Sequence, residues 1–235
     1  MKRSPFAFAL ALLLGAAFGM LRADEPSAPE EGFTPLFNGR DLSGWRCDSK
    51  VWSVEDGLVV GRLTEKLSES TFLICEKPVR NFIIRFDYWI SAEGNSGLQY
   101  RSIELPDGTP LRMSGYQADF DGAASYSGIV YEERGRGIIG TRGDFNYFVP
   151  EGKIENLEHF SDNETVKSAI KIEDWNSYEV IAIGPYLEHR INGVTTTRAV
   201  DLDPAHAKAE GLLGFQCHAG LLMEVKIKNM RIKEL

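Results

Sequence analysis

The sequence predicts an all-β fold of two packed antiparallel sheets, and three observations predict it. Short runs alternate apolar and polar residues with the period of two that sends strand side chains to opposite faces. In the clearest run Phe82, Ile84, Phe86, Tyr88 and Ile90 alternate with Ile83, Arg85, Asp87 and Trp89. Turn-forming steps recur at short intervals, among them Asn38-Gly39, Asp56-Gly57 and Asn192-Gly193, which suit tight connections between strands. No internal repeat and no linker interrupts the chain after residue 32, so residues 33–235 read as one sandwich domain.

The N-terminus stands apart from that pattern. Lys2 and Arg3 precede an apolar run from Phe6 to Leu21, and the acidic, proline-rich stretch Asp24 to Glu31 follows Arg22-Ala23. A basic start, an apolar centre and a small residue before a polar stretch are the parts of a secretory signal. Residues 1–23 read as that signal and 24–32 as a tether, which places the protein outside the cytoplasm, secreted or periplasmic. Leu21, two positions before Ala23, leaves a neighbouring cleavage position or a membrane anchor open. No later stretch of the sequence is long and apolar enough to span a bilayer.

The domain then reads in order. Phe33 to Trp45 supplies apolar anchors between turn signals, and Trp52 to Val60 reads as a hairpin about Asp56-Gly57. Strands follow at Thr71 to Glu76, at Phe82 to Ile90, from Asn95, around Gln117 and from Gly128. Residues 135–165 are poorly patterned, with Asn146 to Val149 their main apolar island, and read as a long loop holding at most a short helix between Ile154 and Phe160. Asp174 to Ile183 is the clearest late strand, with a hairpin about Asn192-Gly193 after it. Asp203 to Glu210 suits one helical turn. Leu213 to His218 and Met223 to Ile232 close the chain as strands, the last with Met223, Val225 and Ile227 inward.

Charge and cysteine content narrow the function classes. The 235-residue chain carries 34 acidic and 26 basic residues, net −8, and loss of Lys2, Arg3 and Arg22 with the signal moves this to −11. Such a surface argues against nucleic acid and anionic membrane as partners. The 212 residues left after the signal suffice for one substantial core. Cys47, Cys75 and Cys217 cannot all pair and show no Cys-x-x-Cys spacing. Cys75 and Cys217 read as buried thiols, and a Cys47–Cys75 bridge stays open.

Three segments draw attention as a site: Asn95-Ser-Gly-Leu-Gln-Tyr-Arg101, Gly115-Tyr-Gln-Ala-Asp119 and Gly214-Phe-Gln-Cys-His218. Read as strands, they put Gln99 with Arg101, Gln117 with Asp119, and Gln216 with His218 on one face, against Leu98, Tyr100, Tyr116, Ala118, Phe215 and Cys217 on the other. Amides both donate and accept, so this face suits a polyhydroxylated ligand. Trp45, Trp52 and Trp175 read as core, and Trp89, in phase with Arg85 and Asp87, as a stacking surface. His189 and Asn192 sit beside a hairpin turn and read as structural.

At Phe33-Thr-Pro-Leu-Phe-Asn-Gly-Arg-Asp-Leu-Ser-Gly-Trp45 the chain resembles the opening of the 3-keto-disaccharide hydrolase domain family. The resemblance recurs in order at Trp52 to Leu58, the three segments above, Asp174-Trp-Asn-Ser-Tyr178, His189-Arg-Ile-Asn-Gly193 and Gly214 to Lys233. It implies a concanavalin A-like (laminarinase-like) two-sheet β-sandwich, a jelly roll, whose concave face holds the sugar. It further implies secretion and cleavage of 3-keto-glucosides or 3-keto-disaccharides. Relatives place a Glu in the segment where this chain has Tyr116-Gln117-Ala118-Asp119.

Glycosidases ordinarily set two carboxylates across the scissile bond. Asp119 is the best single carboxylate here, with Glu104, Asp121, Glu132 and Glu133 as companions to choose from. A 3-keto sugar opens a second route: the ketone acidifies the C2 proton, whose loss expels the glycosidic oxygen from C1. Water added afterwards makes the net reaction hydrolysis. On that reading the catalytic residues are His218 as base, Asp119 as its partner or a base itself, and Arg101 as enolate stabiliser. Gln99, Gln117, Gln216, Asn95 and Trp89 bind substrate. No local spacing marks a metal site, which leaves a divalent metal and the oligomeric state open. The rival reading is a non-catalytic carbohydrate-binding sandwich.

Overall fold

The computed structural model describes residues 30–106, 111–150 and 153–235. The expected signal and most of the tether lie outside them. Phe82–Ile90 (β6) shows how the sequence builds the fold, since its apolar phase is buried and its polar phase is not at every position. The earlier strands are Thr34–Pro35 (β1), Trp45–Arg46 (β2), Trp52–Glu55 (β3), Leu58–Leu63 (β4) and Thr71–Cys75 (β5). After β6 come Asn95–Glu104 (β7), Met113–Asp121 (β8), Val130–Glu133 (β9), Gly137–Gly140 (β10), Asp144–Phe148 (β11) and Ile154–His159 (β12). A helix, Asn163–Ser168 (α1), precedes Asn176–Ile183 (β13), Tyr186–Ile191 (β14), Val194–Asp201 (β15), Leu212–Cys217 (β16) and Met223–Glu234 (β17).

Two sheets form, as the alternation predicts. One runs β12-β11-β15-β14-β13-β6-β17-β4-β3, with β1 also on β17; the other runs β10-β9-β8-β7-β16-β5-β2. Their facing sides make one core in which Phe86 of the first sheet meets Phe215 of the second edge-on at 5.1 Å and Tyr88 stacks on Phe120 at 4.2 Å. Such aromatic pairs add about 0.5–1.5 kcal/mol each beyond their area burial. The one departure from antiparallel pairing among the described strands is β11 on β15. Strand β11 arrives at that edge from β10 in the other sheet, without a hairpin to reverse its direction.

Residues 135–165 depart most from expectation. They hold β10, β11 and β12, and the helix lies at 163–168, after the segment expected to carry it. Every residue of β12 is exposed, so no burial alternation exists for the sequence to display. The helix starts where Asp162 accepts from the backbone N–H and the hydroxyl of Thr165, an N-cap. Asp203 to Glu210 forms only a turn, His206 and Ala207 both donating to the Asp203 carbonyl. Trp45 and Trp52 are buried, but Trp175 is half-exposed with Lys228 Nζ 4.3 Å from its ring centre. All three cysteines are free, so Cys47 and Cys75 are not bridged, and Cys75 and Cys217 are buried. No helix among the described residues is long and apolar enough to cross a membrane.

Candidate functional site

Strand register assembles the polar face of the seven-stranded sheet. Gln99 of β7 pairs with Gln117 of β8, Gly97 with Asp119, and Gly214 of β16 with Gln99, which sets Gln216 beside Gly97. Outward neighbours at the two ends are Phe72 of β5, opposite Gln216, and Tyr131 of β9, opposite Gln117. The inward phase of the same strands, Leu98, Tyr100, Tyr116, Ala118, Phe120 and Phe215, belongs to the main core, whereas outward Phe72, Ile74 and Met113 form a small apolar cluster of their own.

The polar group is buried. Gln99, Gln117 and Gln216 are 0 %, 2 % and 1 % exposed, and Asp119 is 7 % exposed. Gln117 Nε2 donates to Asp119 Oδ1 at 2.7 Å and to Gln216 Oε1 at 3.2 Å, joining β8 to β16 across β7. Gly97 makes that crossing possible: a Cβ there would lie 2.6–2.8 Å from Gln117 Cγ, Cδ and Nε2. Both polar atoms of Gln99 and Oε1 of Gln117 have no hydrogen-bond partner. Buried polar groups left unsatisfied cost about 1–3 kcal/mol each, and each calls for an account such as strain, a catalytic role, or a bound water or ion.

Burial also sets the protonation of the carboxyls. Desolvation raises the Asp119 pKa to about 8, against the lowering bond from Gln117, with the charges of Asp121 and Glu133 adding to the rise. Burial thus favours the protonated form of the Asp119 carboxyl, where the sequence reading allowed a base. Glu133 shares its face through the Gly115–Glu133 pair; burial raises it, while Arg134 and His218 pull it down. Tyr131 stands half-buried in the row next to Gln117. Burial and the charges of both Glu133 and Asp119 raise its phenol. Beside Phe72 the face opens into a hollow of about 80 Å³ lined also by Glu69, Arg112, Glu133 and Arg134.

The other expected residues divide. His218 follows the end of β16, half-buried, and its Nδ1 lies 2.7 Å from the Ala219 carbonyl. A carbonyl only accepts, so Nδ1 donates and the neutral ring keeps Nε2 as a free base. Asp119 does not orient this ring, since its bond goes to Gln117. Asn95 opens β7 on the same face, paired with Asp121.

Arg101 leaves the group. A register shift between Tyr100 and Ile103, with Arg101 at φ 49°, makes a bulge that re-aims the side chain. Its guanidinium donates to the carbonyls of Arg80, Gly184 and Lys208 and to Asn81 Oδ1, tying loops at one end of the sandwich. Trp89 leaves it too, because β6 belongs to the other sheet and its outward phase faces away.

Of the companion carboxylates, Asp121 takes the backbone N–H groups of Ser125, Tyr126 and Ser127. Glu132 pairs with Arg136, and Glu104 with Arg46. Glu133 shares the face through its pairing with Gly115, as do Asp121, opposite Asn95, and Glu104, opposite Met113, but the last two are engaged in the contacts just named. Sequence reading weighed Glu133 but missed Tyr131, although the alternation Tyr131-Glu132-Glu133 would have shown the pair once β9 was registered on β8. His189 is structural, as expected, and lies buried in the core on β14. Its Nδ1 donates to the Ile129 carbonyl at 3.0 Å, Tyr100 donates to its Nε2, and burial lowers it to about 3. Among the described residues no three His, Cys, Asp or Glu side chains converge as metal ligands.

A two-sheet sandwich with a buried row of amides and a carboxyl on one sheet face has the form of a carbohydrate-active protein. The chain belongs to the family described as the 3-keto-alpha-glucoside-1,2-lyase-like domain, whose model matches residues 32–233. It is similar to a proposed glycosyl hydrolase from Parabacteroides distasonis ATCC 8503, 26 % identical over 87 % of this chain and 94 % of that one, TM-score 0.59. A second proposed glycosyl hydrolase of that organism is 16 % identical over 86 % of this chain and 99 % of its own, TM-score 0.56. A Bacillus subtilis protein of unknown function with a galectin-like fold is 13 % identical over 86 % and 94 %, TM-score 0.59. No curated protein matches the chain.

Proposed function

We propose that this is a secreted enzyme that cleaves the glycosidic bond of a 3-keto-glucoside by elimination. The observation that carries the reading is the buried, ligand-seeking amide pair Gln99 and Gln117 beside a carboxyl that burial keeps protonated. Family membership supports the substrate class. His218 Nε2 takes the C2 proton and the electrons move to the C3 oxygen as an enolate, which the Gln99 amide N–H group stabilises. The enolate collapses to form the C1–C2 double bond and breaks the C1–O bond. Asp119 gives its proton to the departing oxygen, so the products are an enone and the free alcohol. Addition of water across C1 and C2 converts the enone to the 3-keto sugar, and the net reaction is then hydrolysis.

The test is turnover of a 3-keto-glucoside beside its unoxidised parent. The keto substrate should be cleaved and the parent left intact, and Asp119→Asn and His218→Ala should each lower the rate about 10²–10⁴-fold, the usual contribution of a positioned acid or base. Full turnover in both variants would reject the assignment. Sugar bound but never cleaved would make the protein a binding module.

A further inference from the structure

The outer face of the ten-stranded sheet, away from the site above, carries a second aromatic and charged surface. Trp89 pairs with Lys226 in register, and one step beyond the Tyr88–Asn176 pair it comes beside Trp175. Lys226 Nζ sits 4.7 Å from the Trp89 ring centre and Lys228 Nζ 4.3 Å from that of Trp175, cation–π pairs over two neighbouring indoles. Along β6 the same phase continues through Asp87 to Arg85, a track of about 13 Å at strand rise.

Arg85 and Asp87 border a hollow of about 340 Å³ lined also by Ser177, Glu179, Arg190 and Arg231, within the range of ligand pockets. Both Arg85 and Arg190 bind the Glu179 carboxylate, so the guanidinium groups here are already arranged around carboxylate geometry. The outward positions of β6 and β17 set Lys226, Lys228, Arg231, Lys233 and Arg85 against Glu224 and Asp87, with Lys226 Nζ also 2.8 Å from a Glu224 carboxylate oxygen. That balance is positive on a chain whose net charge is −8.

We propose that this face binds a uronic-acid polymer. Apolar faces of the pyranose rings stack on Trp89 and Trp175, and the ring carboxylates draw the lysine ammonium groups off the indoles and onto themselves. The inference is independent of the reaction assigned to the opposite sheet.

Native electrophoresis of the purified protein through gels containing polygalacturonate, neutral dextran or sulfated dextran tests it. Polygalacturonate should retard the protein, less so as salt rises, and neither other polymer should match it. Trp175→Ala and Lys228→Glu should each weaken the retardation several-fold, with circular dichroism spectra that stay those of the native fold. No retardation by polygalacturonate at low salt would overturn the proposal, as would equal retardation by either dextran. Retardation lost in Lys228→Glu but kept in Trp175→Ala would be simple ion exchange and would overturn it as well.

Discussion

The proposed chemistry is concentrated in Asp119. Its carboxyl is raised from 3.8 to about 8 chiefly by burial, so the folded protein holds a proton that the unfolded chain releases near pH 4. Stability from this group is full below about pH 4 and is lost as pH rises toward 8, at about 1.4 kcal/mol per pH unit. Asp119→Asn should therefore gain stability relative to wild type between pH 5 and 8, measured by urea melts across that range; a parallel pH dependence would mean the carboxyl is not protonated. On the proposed mechanism the same proton goes to the leaving group, so kcat/KM should fall above about pH 8, and that limb should be absent from the residual rate of Asp119→Asn. Gly97 acts on the same residue by leaving room. Gly97→Ala puts a methyl where Gln117 crosses to Asp119 and Gln216. Because a side chain yields more readily than backbone, the melting temperature should change little while kcat/KM falls at least tenfold. Unchanged kinetics would show that the crossing does not matter.

At the scale of elements, β7 and its bulge decide which side chains meet. Arg101 is one side chain holding four oxygens from three separate loops, and hydrogen bonds to a charged donor contribute about 1.5–3 kcal/mol each. Arg101→Met should cost at least about 3 kcal/mol in chemical denaturation and leave turnover per folded molecule at the wild-type level. A stable protein with lost turnover would return Arg101 to the active site. The case also shows why the site was partly legible in the sequence. Alternation placed Gln99, Gln117, Asp119 and Gln216 because their strands stay regular through those positions. It failed at Arg101 because a bulge shifts the phase by local backbone geometry that no residue in the run announces. Strand β6 was read to the residue because one of its faces is wholly buried, whereas β12, exposed throughout, left nothing to read. Alternation assigns Trp89 to the outward phase of β6, but phase says nothing of which sheet a strand joins, and β6 lies in the sheet opposite the amide row.

For the whole molecule, the two proposals assign one task to the outer face of each sheet. The core of aromatic contacts between sheets fixes the outward phase of each, and on the seven-stranded sheet that phase buries amides with unpaired polar atoms beside a carboxyl that burial raises. The central claim is that bond cleavage starts with loss of the C2 proton. A 3-keto-glucoside carrying deuterium at C2 tests it most directly, with rate and product followed together by mass spectrometry. Elimination predicts slower turnover than with the protium substrate and release of the deuterium to solvent. Equal rates with deuterium fully retained at C2 of the product sugar would contradict the account.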